Sequence, residues 1–320
     1  ADHDDRGVGR PRDGLLRLAG GIGGTAGIAL AFAFASYIGF EATAIYGEES
    51  REPKKTVPRA TYTAIIVIGV IFAFVTFAMV TALGSATVID EVVARSSIDG
   101  VPLLDPAAVL FSIAAAYVGE WMATLMSWLV ITSLFAGLLA FQNSSARYFV
   151  AMGRAGVFSQ RLDHTNRFGA PGNGSITVSV ITLLVTLVFV LRGWDPILNM
   201  FYWFSAVAVI AIVVVEILVS IAVIAYFRKT KEDTRVWHTM IAPILAVIGL
   251  VLGLYLLMSR FAIFAGTAAE GTDPTVQAWA LNPLGWFLVL SPFLVFVIGI
   301  GVGALRRKKE NVDAIADLVT

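Results

Sequence analysis

Seven apolar segments, each close to the length needed to cross a bilayer as a helix, recur along the chain. They cover residues 26–47, 60–84, 120–143, 175–192, 199–226, 239–258 and 284–305. About 20 apolar residues span the hydrocarbon core, where backbone polar groups must be satisfied within the segment itself, so helices are expected. The chain is 58% hydrophobic and only 14% charged, which excludes a soluble domain of this length. The sequence therefore predicts an all-α membrane protein with seven transmembrane helices.

The distribution of positive charge predicts the orientation of these helices. Sixteen of the 23 Lys and Arg residues follow the first, third, fifth or seventh segment, and seven lie elsewhere. Because positive residues accumulate on the cytoplasmic side, the N-terminus is expected outside and the C-terminus inside. Residues 1–25 are then an extracellular segment and residues 306–320 a cytoplasmic tail, in a protein of the plasma (inner) membrane.

The start of the chain contains no apolar export signal before residue 14, although the N-terminus is expected outside. We therefore expect this polypeptide to be the C-terminal part of a longer chain whose earlier helices carry residues 1–20 across the membrane.

One glycine and one carboxylate interrupt the first apolar segment. Glu41 at bilayer depth costs on the order of 3 kcal/mol, and Gly39 suits an unwound backbone. The free carbonyl and N–H groups of a broken helix bind the ammonium and carboxylate of a zwitterion without charged side chains. The predicted substrate site comprises Phe34, Ser36, Tyr37, Ile38, Gly39, Phe40 and Glu41. The alternatives are a glycine that permits close helix packing, a Glu held by hydrogen bonds and aromatic rings that pack in the core or against lipid.

A spaced set of Gly, Glu and Pro residues follows this break: Gly39-Phe40-Glu41, Glu48-Glu49, Pro53 and Val57-Pro58-Arg59-Ala60. This set resembles the sixth helix and following cytoplasmic loop of permeases of the amino acid-polyamine-organocation superfamily. Residues 141–157 are similar to the end of that family's eighth helix and the amphipathic segment after it. Tyr226-Phe227-Arg228 resembles the end of the tenth helix.

The resemblance implies an inverted-repeat transporter in which two discontinuous helices meet at the midplane of the membrane. The seven segments would correspond to helices six to twelve of a twelve-helix permease. Residues 26–226 would then form the second five-helix repeat, with one discontinuous helix, and residues 227–305 two peripheral helices. The first repeat, which carries the other half of the substrate site, is not in the sequence.

Three further polar positions are candidates for ion coupling, beside Glu41. Thr132 and Ser133 interrupt the third segment, and Asn143 lies on the same helical face, which predicts a polar stripe that faces the interior. In sodium-coupled relatives of this fold a Ser/Thr pair in this helix helps to bind the cation. Hydroxyls that bond back to the preceding turn are an equal alternative. Glu216 in the fifth segment is a candidate proton relay, or a protonated Glu that bonds to a neighbouring helix.

The loop after the first segment mixes acidic and basic residues. Glu48, Glu49 and Arg51 are candidates for an inner gate closed by ion pairs, with Arg147 as a candidate partner. A solvated loop with ordinary cytoplasmic charge is the alternative. On the other side, residues 104–117 are too short to span the membrane and are expected to form an external helix.

These features predict a secondary active transporter of amino acids or related organic amines, with proton symport favoured over sodium coupling and exchange as the alternative. A seven-helix receptor or photoreceptor is a weaker interpretation. All six lysines lie outside the apolar segments, so no membrane lysine could hold retinal by a Schiff base. No enzyme, catalytic residue, cofactor, metal site or nucleic-acid partner is predicted. Glycines four residues apart, among them Gly299 and Gly303, allow close helix packing and a possible homodimer.

Overall fold

The computed structural model describes residues 32–34, 36–45, 50–98, 101–102, 108–166, 170–231 and 233–305 of the 320-residue chain. The α-helices in these ranges are α1 Ala42–Ile45, α2 Pro53–Leu83, α3 Val88–Arg95, α4 Ala108–Tyr117, α5 Glu120–Arg154, α6 Gly172–Arg192, α7 Tyr202–Thr230, α8 Ala242–Ser259, α9 Phe261–Ala265 and α10 Pro283–Leu305. Short π-helical turns, Pro196–Phe201 and Trp237–Ile241, lead into α7 and α8, and a 3-10 turn spans Gln160–Asp163.

Two short strands pair within the described ranges. Strands β1 Ser97–Ile98 and β2 Val101–Pro102 pair antiparallel, with Ser97 opposite Pro102 and Ile98 opposite Val101. Ala268 and Leu281 form an isolated antiparallel bridge. The described residues are otherwise mostly helical, as the apolar segments predict.

Six stretches of helix in the described residues are long and apolar enough to cross a membrane: Pro53–Leu83, Glu120–Arg154, Gly172–Arg192, Pro196–Thr230, Trp237–Ser259 and Pro283–Ala304. These stretches correspond in order to the second to seventh predicted segments. Each contains its whole segment, except that residues 84 and 305 fall outside. The first predicted segment, 26–47, lies partly outside the described residues. Its described part is helical at residues 32–34 and 36, turns at residues 37–41 and continues as α1.

Two of these helices extend seven or more residues beyond the predicted segments at one end. Helix α2 begins at Pro53 rather than at residue 60, because a proline at the start of a helix costs no hydrogen bond. Pro58, expected in the first turn, therefore lies inside the helix. Helix α5 continues to Arg154, so the segment after residue 143 is not separate from the membrane helix. Charged residues occur at these ends, and hydropathy alone does not distinguish a charged helix end from a loop.

The chain divides into two compact units, one containing Gly39–Val188 and the other containing Phe189–Ala304 together with the described residues up to Ile38. In the Gly39–Val188 unit, α1 contacts α2 and α5, and α4 contacts α3 and α5. A small core of Leu83, Val109 and Ile113 joins α2 to the short helices α3 and α4. The predicted external helix corresponds to α4, whereas α3 was not predicted.

Helices α5 and α6 approach each other closely in this unit. A Cβ on Gly174 would lie 2.5 Å from the carbonyl oxygen of Ala146, so only glycine permits this contact. The Gln142 amide nitrogen donates to the carbonyl oxygen of Ser175 at 2.9 Å and to the Ser179 hydroxyl at 3.0 Å. A glycine contact and a polar clamp together join the two apolar helices.

The Phe189–Ala304 unit holds the larger core, built from α7, α8, α9 and the start of α10. Its buried residues are Ala206, Val209, Ile210, Val213, Leu257, Phe261, Ala262, Phe264, Ala265, Leu281 and Val289. One face of α7 and the corner between α8 and α9 supply most of these side chains. Gly299 and Gly303 of α10 have no atom within 4 Å of an added Cβ, so they do not mediate close packing among the described residues.

Candidate substrate site

The break in the first apolar segment is a turn at residues 37–41, where predicted. Gly39 has a φ of +109°, a backbone conformation that side chains with a Cβ rarely adopt. The Ala42 amide donates to the carbonyl of Gly39 at 3.1 Å, and the Thr43 amide donates to the carbonyl of Phe40 at 3.4 Å. These bonds span three residues rather than four, so the helical pattern is interrupted and resumes in α1.

Glu41 bonds to the backbone of this turn. Its carboxylate Oε2 accepts a hydrogen bond from the amide of Gly39 at 2.8 Å, in a half-buried environment. An ionised carboxylate on a backbone N–H forms a strong, charge-assisted bond. Glu41 thereby occupies one of the donors that the break makes available, which is the arrangement expected of a Glu held by hydrogen bonds.

The predicted aromatic and apolar residues divide between packing and the turn. The ring of Phe34 lies so close to Gly253 of α8 that an added Cβ there would be 2.3 Å from it. Ile38 packs against the core of the Phe189–Ala304 unit. Phe34 and Ile38 therefore make packing contacts, as the core alternative predicts, whereas Tyr37 and Phe40 are half-buried in the turn itself. The exposed Ser36 donates its hydroxyl to the Phe32 carbonyl at 2.9 Å.

The polar side chains of α5 lie on its exposed surface among the described residues. Thr132, Ser133 and Asn143 are all exposed, and their interior orientation stays a prediction. The Thr132 hydroxyl lies 3.0 Å from the carbonyl of Leu129 and 3.2 Å from that of Trp128, which is the backbone bonding of the alternative interpretation. Other described residues do not bury the apolar part of α5.

Glu216 belongs to the other compact unit, in the middle of α7. Its side chain is half-buried, three residues after the buried Val213. Its role as a proton relay stays a prediction.

The predicted inner gate is only partly within the described residues, because Glu48 and Glu49 lie outside them. Arg51 is exposed, and Arg147 donates its Nε to the Asn143 side chain of its own helix at 3.3 Å. Lys55 and Glu52 form an ion pair of 3.0 Å at the start of α2. Both of these side chains are exposed, and such pairs contribute little to stability.

Two polar contacts near the break were not predicted from the sequence. Thr43 of α1 and Thr61 of α2 place their hydroxyl oxygens 2.5 Å apart, and Gln142 clamps α5 to α6. The available signal was weak: single polar residues in apolar segments, without a spacing that links them.

Charged groups with altered pKa values lie in the loops. Hydrogen bonds from the Arg235 side chain and backbone lower the pKa of Asp233 to about 2. The Thr275 hydroxyl and amide lower the pKa of Asp273. Within the described ranges no three His, Asp or Glu side chains cluster as metal ligands would. The turn is the strongest candidate for ligand binding, because it takes backbone groups out of the helical pattern.

Comparison with known proteins gives the family. The model of the family described as amino acid permease matches residues 18–289. The branched-chain amino acid permease BcaP of Lactococcus lactis subsp. cremoris is 24% identical over 177 residues, which cover 53% of this chain and 34% of that protein. An uncharacterized transporter of Legionella pneumophila subsp. pneumophila is 27% identical over 168 residues, covering 52% of this chain and 32% of that protein.

The chain thus spans about a third of the length of the curated relatives it matches. No solved structure matches it. The family match extends over most of the chain and includes the broken turn and five of the six long helices in full. The chain belongs to the amino acid permease family.

Proposed function

We propose that this protein is a secondary active transporter of amino acids or related organic amines that works by alternating access in the plasma (inner) membrane. The observation that carries the proposal is the turn at residues 37–41, which interrupts an apolar segment and takes backbone groups out of the helical pattern. Broken helices bind substrates near the midplane of inverted-repeat transporters. Family membership supports transport as the activity.

The architecture we propose follows from the same fold. Residues 26–226 form a five-helix repeat whose first helix is discontinuous, and residues 227–305 form two peripheral helices. The N-terminus lies outside and the C-terminus in the cytoplasm, as the charge distribution favours. Exposed Gly299 and Gly303 are candidates for a homodimer contact.

The proposed substrates are amino acids with branched apolar side chains, which places leucine, isoleucine and valine first in a panel. One similar protein is a branched-chain amino acid permease. The carbonyl and amide groups of residues 36–41 suit the ammonium and carboxylate of such a zwitterion. Half-buried Tyr37 and Phe40 supply apolar surface beside these groups.

Proton symport is the proposed coupling mode, with Glu41 as the proposed proton-binding residue. A substrate carboxylate that binds the Gly39 amide must displace Glu41 from it. Protonation removes the negative charge of Glu41 and weakens its bond. Binding of a proton therefore favours binding of a substrate carboxylate. Glu216, or sodium at Thr132 and Ser133, supplies the alternative coupling sites.

Uptake by proteoliposomes tests the proposal. Radiolabelled amino acids are supplied with and without an inward proton gradient, to the chain alone and to the chain in its extended reading frame. We expect leucine uptake that the gradient accelerates, that Gly39→Val abolishes and that Glu41→Gln uncouples from the gradient. Glu270→Gln, in an exposed loop, is the matched control and is expected to leave uptake unchanged.

The result distinguishes the coupling modes. Uptake that requires amino acid inside the vesicles, without response to the gradient, indicates exchange. Uptake of no amino acid by either form contradicts the proposed function.

A further inference from the structure

Two threonine hydroxyls join the short helix after the broken turn to the first long helix. Thr43 Oγ1 of α1 and Thr61 Oγ1 of α2 lie 2.5 Å apart, and both side chains are half-buried. Thr43 Oγ1 is also 3.0 Å from the carbonyl oxygen of Phe40, and Thr61 Oγ1 is 2.9 Å from that of Val57. The hydroxyls thus form a chain of three contacts that begins in the turn and ends in α2.

The number of hydroxyl protons limits which of these three contacts are hydrogen bonds at one time. Each hydroxyl donates one proton, so two protons serve three contacts. In one arrangement Thr61 donates to Thr43, and Thr43 donates to the carbonyl of Phe40. In the other, Thr43 donates to Thr61, and Thr61 donates to the carbonyl of Val57. Rotation of two O–H bonds interconverts these arrangements without movement of the backbone.

The two carbonyls at the ends of the chain differ. Val57 lies inside the continuous helix α2, where its carbonyl takes part in helical bonding. The Phe40 carbonyl lies in the turn and accepts the Thr43 amide at 3.4 Å, which is long for an N–H···O bond. When Thr43 turns toward Thr61, the Phe40 carbonyl is therefore open to a further donor.

We propose that Thr43 and Thr61 form a hydroxyl relay that favours substrates with a primary ammonium group at the Phe40 carbonyl. This inference rests on the proposed function and adds a specificity device to that site. An ammonium N–H that binds the Phe40 carbonyl replaces the hydroxyl proton of Thr43 there. The Thr43 hydroxyl then donates to Thr61, and the Thr61 hydroxyl donates to the carbonyl of Val57. The relay keeps two internal hydrogen bonds throughout. Thr43 and Thr61 are positioning residues, since they act through Phe40.

Substitutions at the two threonines are expected to have different effects, which a purely structural tie would not produce. In Thr61→Val, the Phe40 carbonyl is the one acceptor in the relay that remains for the Thr43 hydroxyl. A substrate ammonium must therefore compete with this hydroxyl for the Phe40 carbonyl. Thr43→Val leaves the Phe40 carbonyl without the hydroxyl donor. Thr61→Ser preserves the relay.

The experiment measures binding of radiolabelled leucine to the purified protein, with 4-methylpentanoate, which is leucine without its amino group, as competitor. We expect Thr61→Val to raise the Kd for leucine roughly tenfold and to leave the inhibition constant of 4-methylpentanoate unchanged. Thr43→Val is expected to bind leucine as tightly as the wild type or more tightly, and Thr61→Ser like the wild type.

Equal weakening of leucine binding by both valine variants overturns the relay, as does a parallel change for 4-methylpentanoate. Thermal unfolding confirms that each variant is folded, and Thr61→Cys, a weaker acceptor, replaces Thr61→Val if that variant does not fold. Unchanged binding in every variant of an active wild type contradicts the relay alone. A wild type that binds no amino acid contradicts the proposed function and the relay with it.

Discussion

The cap, residues 259–289 in the larger core unit, and the broken turn, residues 37–41, satisfy their backbone groups in opposite ways. In the cap, Arg260 is 7% exposed and donates Nη1 to the carbonyls of Pro274 and Thr275 at 3.0 and 3.1 Å. The amide of Trp279 donates to the carbonyl of Ser259 at 2.8 Å. These bonds join residues far apart in the chain, so the loop has one conformation that its neighbours impose.

Among the described residues, the hydrogen bonds of the broken turn are local. Its backbone bonds span three residues, and the Gly39 amide is held by the side chain of Glu41, two residues away. A ligand can exchange such bonds for its own without unfolding a neighbouring element. Buried long-range bonds build a rigid loop, whereas local bonds beside a glycine leave an exchangeable site.

Arg260→Ala is expected to lower the free energy of unfolding by about 3 kcal/mol, because two carbonyls lose a charged donor in a buried place. Thermal unfolding in detergent micelles measures the change. The KM for uptake should stay at the wild-type value, since the cap holds structure rather than substrate. Arg228→Ala, at an exposed position, is the control. A raised KM in a stable Arg260→Ala protein would show that the cap also contributes to substrate binding.

Gly253→Ala is expected to destabilise the protein by about 2 kcal/mol through overpacking. The added methyl group would meet the ring of Phe34 at 2.3 Å. Gly249→Ala, one turn earlier in α8 and with nothing within 4 Å, should be neutral or stabilising. Combined with Phe34→Ala, the Gly253→Ala effect should shrink; strictly additive effects in this double-mutant cycle would show that the two residues do not touch.

Gly39→Ala is expected to cost about 1.5 kcal/mol of stability, all of it backbone strain. No atom lies within 4 Å of the added Cβ, but φ is +109°. In contrast with the cap variants, this substitution should abolish most leucine uptake while the protein stays folded. Uptake and thermal unfolding of one preparation measure both. Normal uptake would mean that the turn does not need its present conformation to work.

Thr267→Val is expected to raise the free energy of unfolding by about 1 kcal/mol. The Thr267 hydroxyl is buried without a hydrogen-bond partner among the described residues, and valine has the same shape without the polar group. Thr275→Val makes the opposite test, because the Thr275 hydroxyl bonds to Asp273 at 2.6 Å. Destabilisation by Thr267→Val would reveal a partner for its hydroxyl.

Asp233→Asn is expected to have the smallest effect, confined to stability and dependent on pH. The pKa of Asp233 falls from 3.8 to about 2 in the folded protein, so the carboxylate stabilises the folded state above pH 3.8. This contribution is lost as the pH falls toward 2. The unfolding midpoints of the variant and the wild type should differ at pH 5 and converge between pH 4 and 2. A difference that persists at pH 2 would contradict the assignment.

Much of the helical architecture was predictable, because apolar length and charge are properties of each segment alone. Six predicted segments correspond to long helices, and the break at Gly39 was predicted from a single glycine beside Glu41. Boundaries were wrong where helices continue past charged residues, at Pro53 and Arg154. Solvated charges are compatible with either helix or loop, so hydropathy does not set these ends.

The candidate site was predictable only in part. Glu41 was expected to need a partner, and the Gly39 amide supplies it. The packing of Phe34 on Gly253 was not predictable, since the two residues are distant in sequence and neither has a distinctive pattern. The interior orientation of Thr132 and Ser133 stays a prediction, because helical spacing defines a shared face but not what covers it, and both residues are exposed among the described residues.

The sequence by itself determined that this protein is helical and membrane-embedded, where its first apolar segment breaks and which family it belongs to. The tertiary structure alone decided which polar and small groups meet: Thr43 with Thr61, Gln142 with Ser175, Gly174 with Ala146 and Phe34 with Gly253. Hydropathy and the φ preference of glycine act locally along the chain. Contacts between helices depend instead on how whole surfaces pack, and the same local pattern is compatible with many such packings.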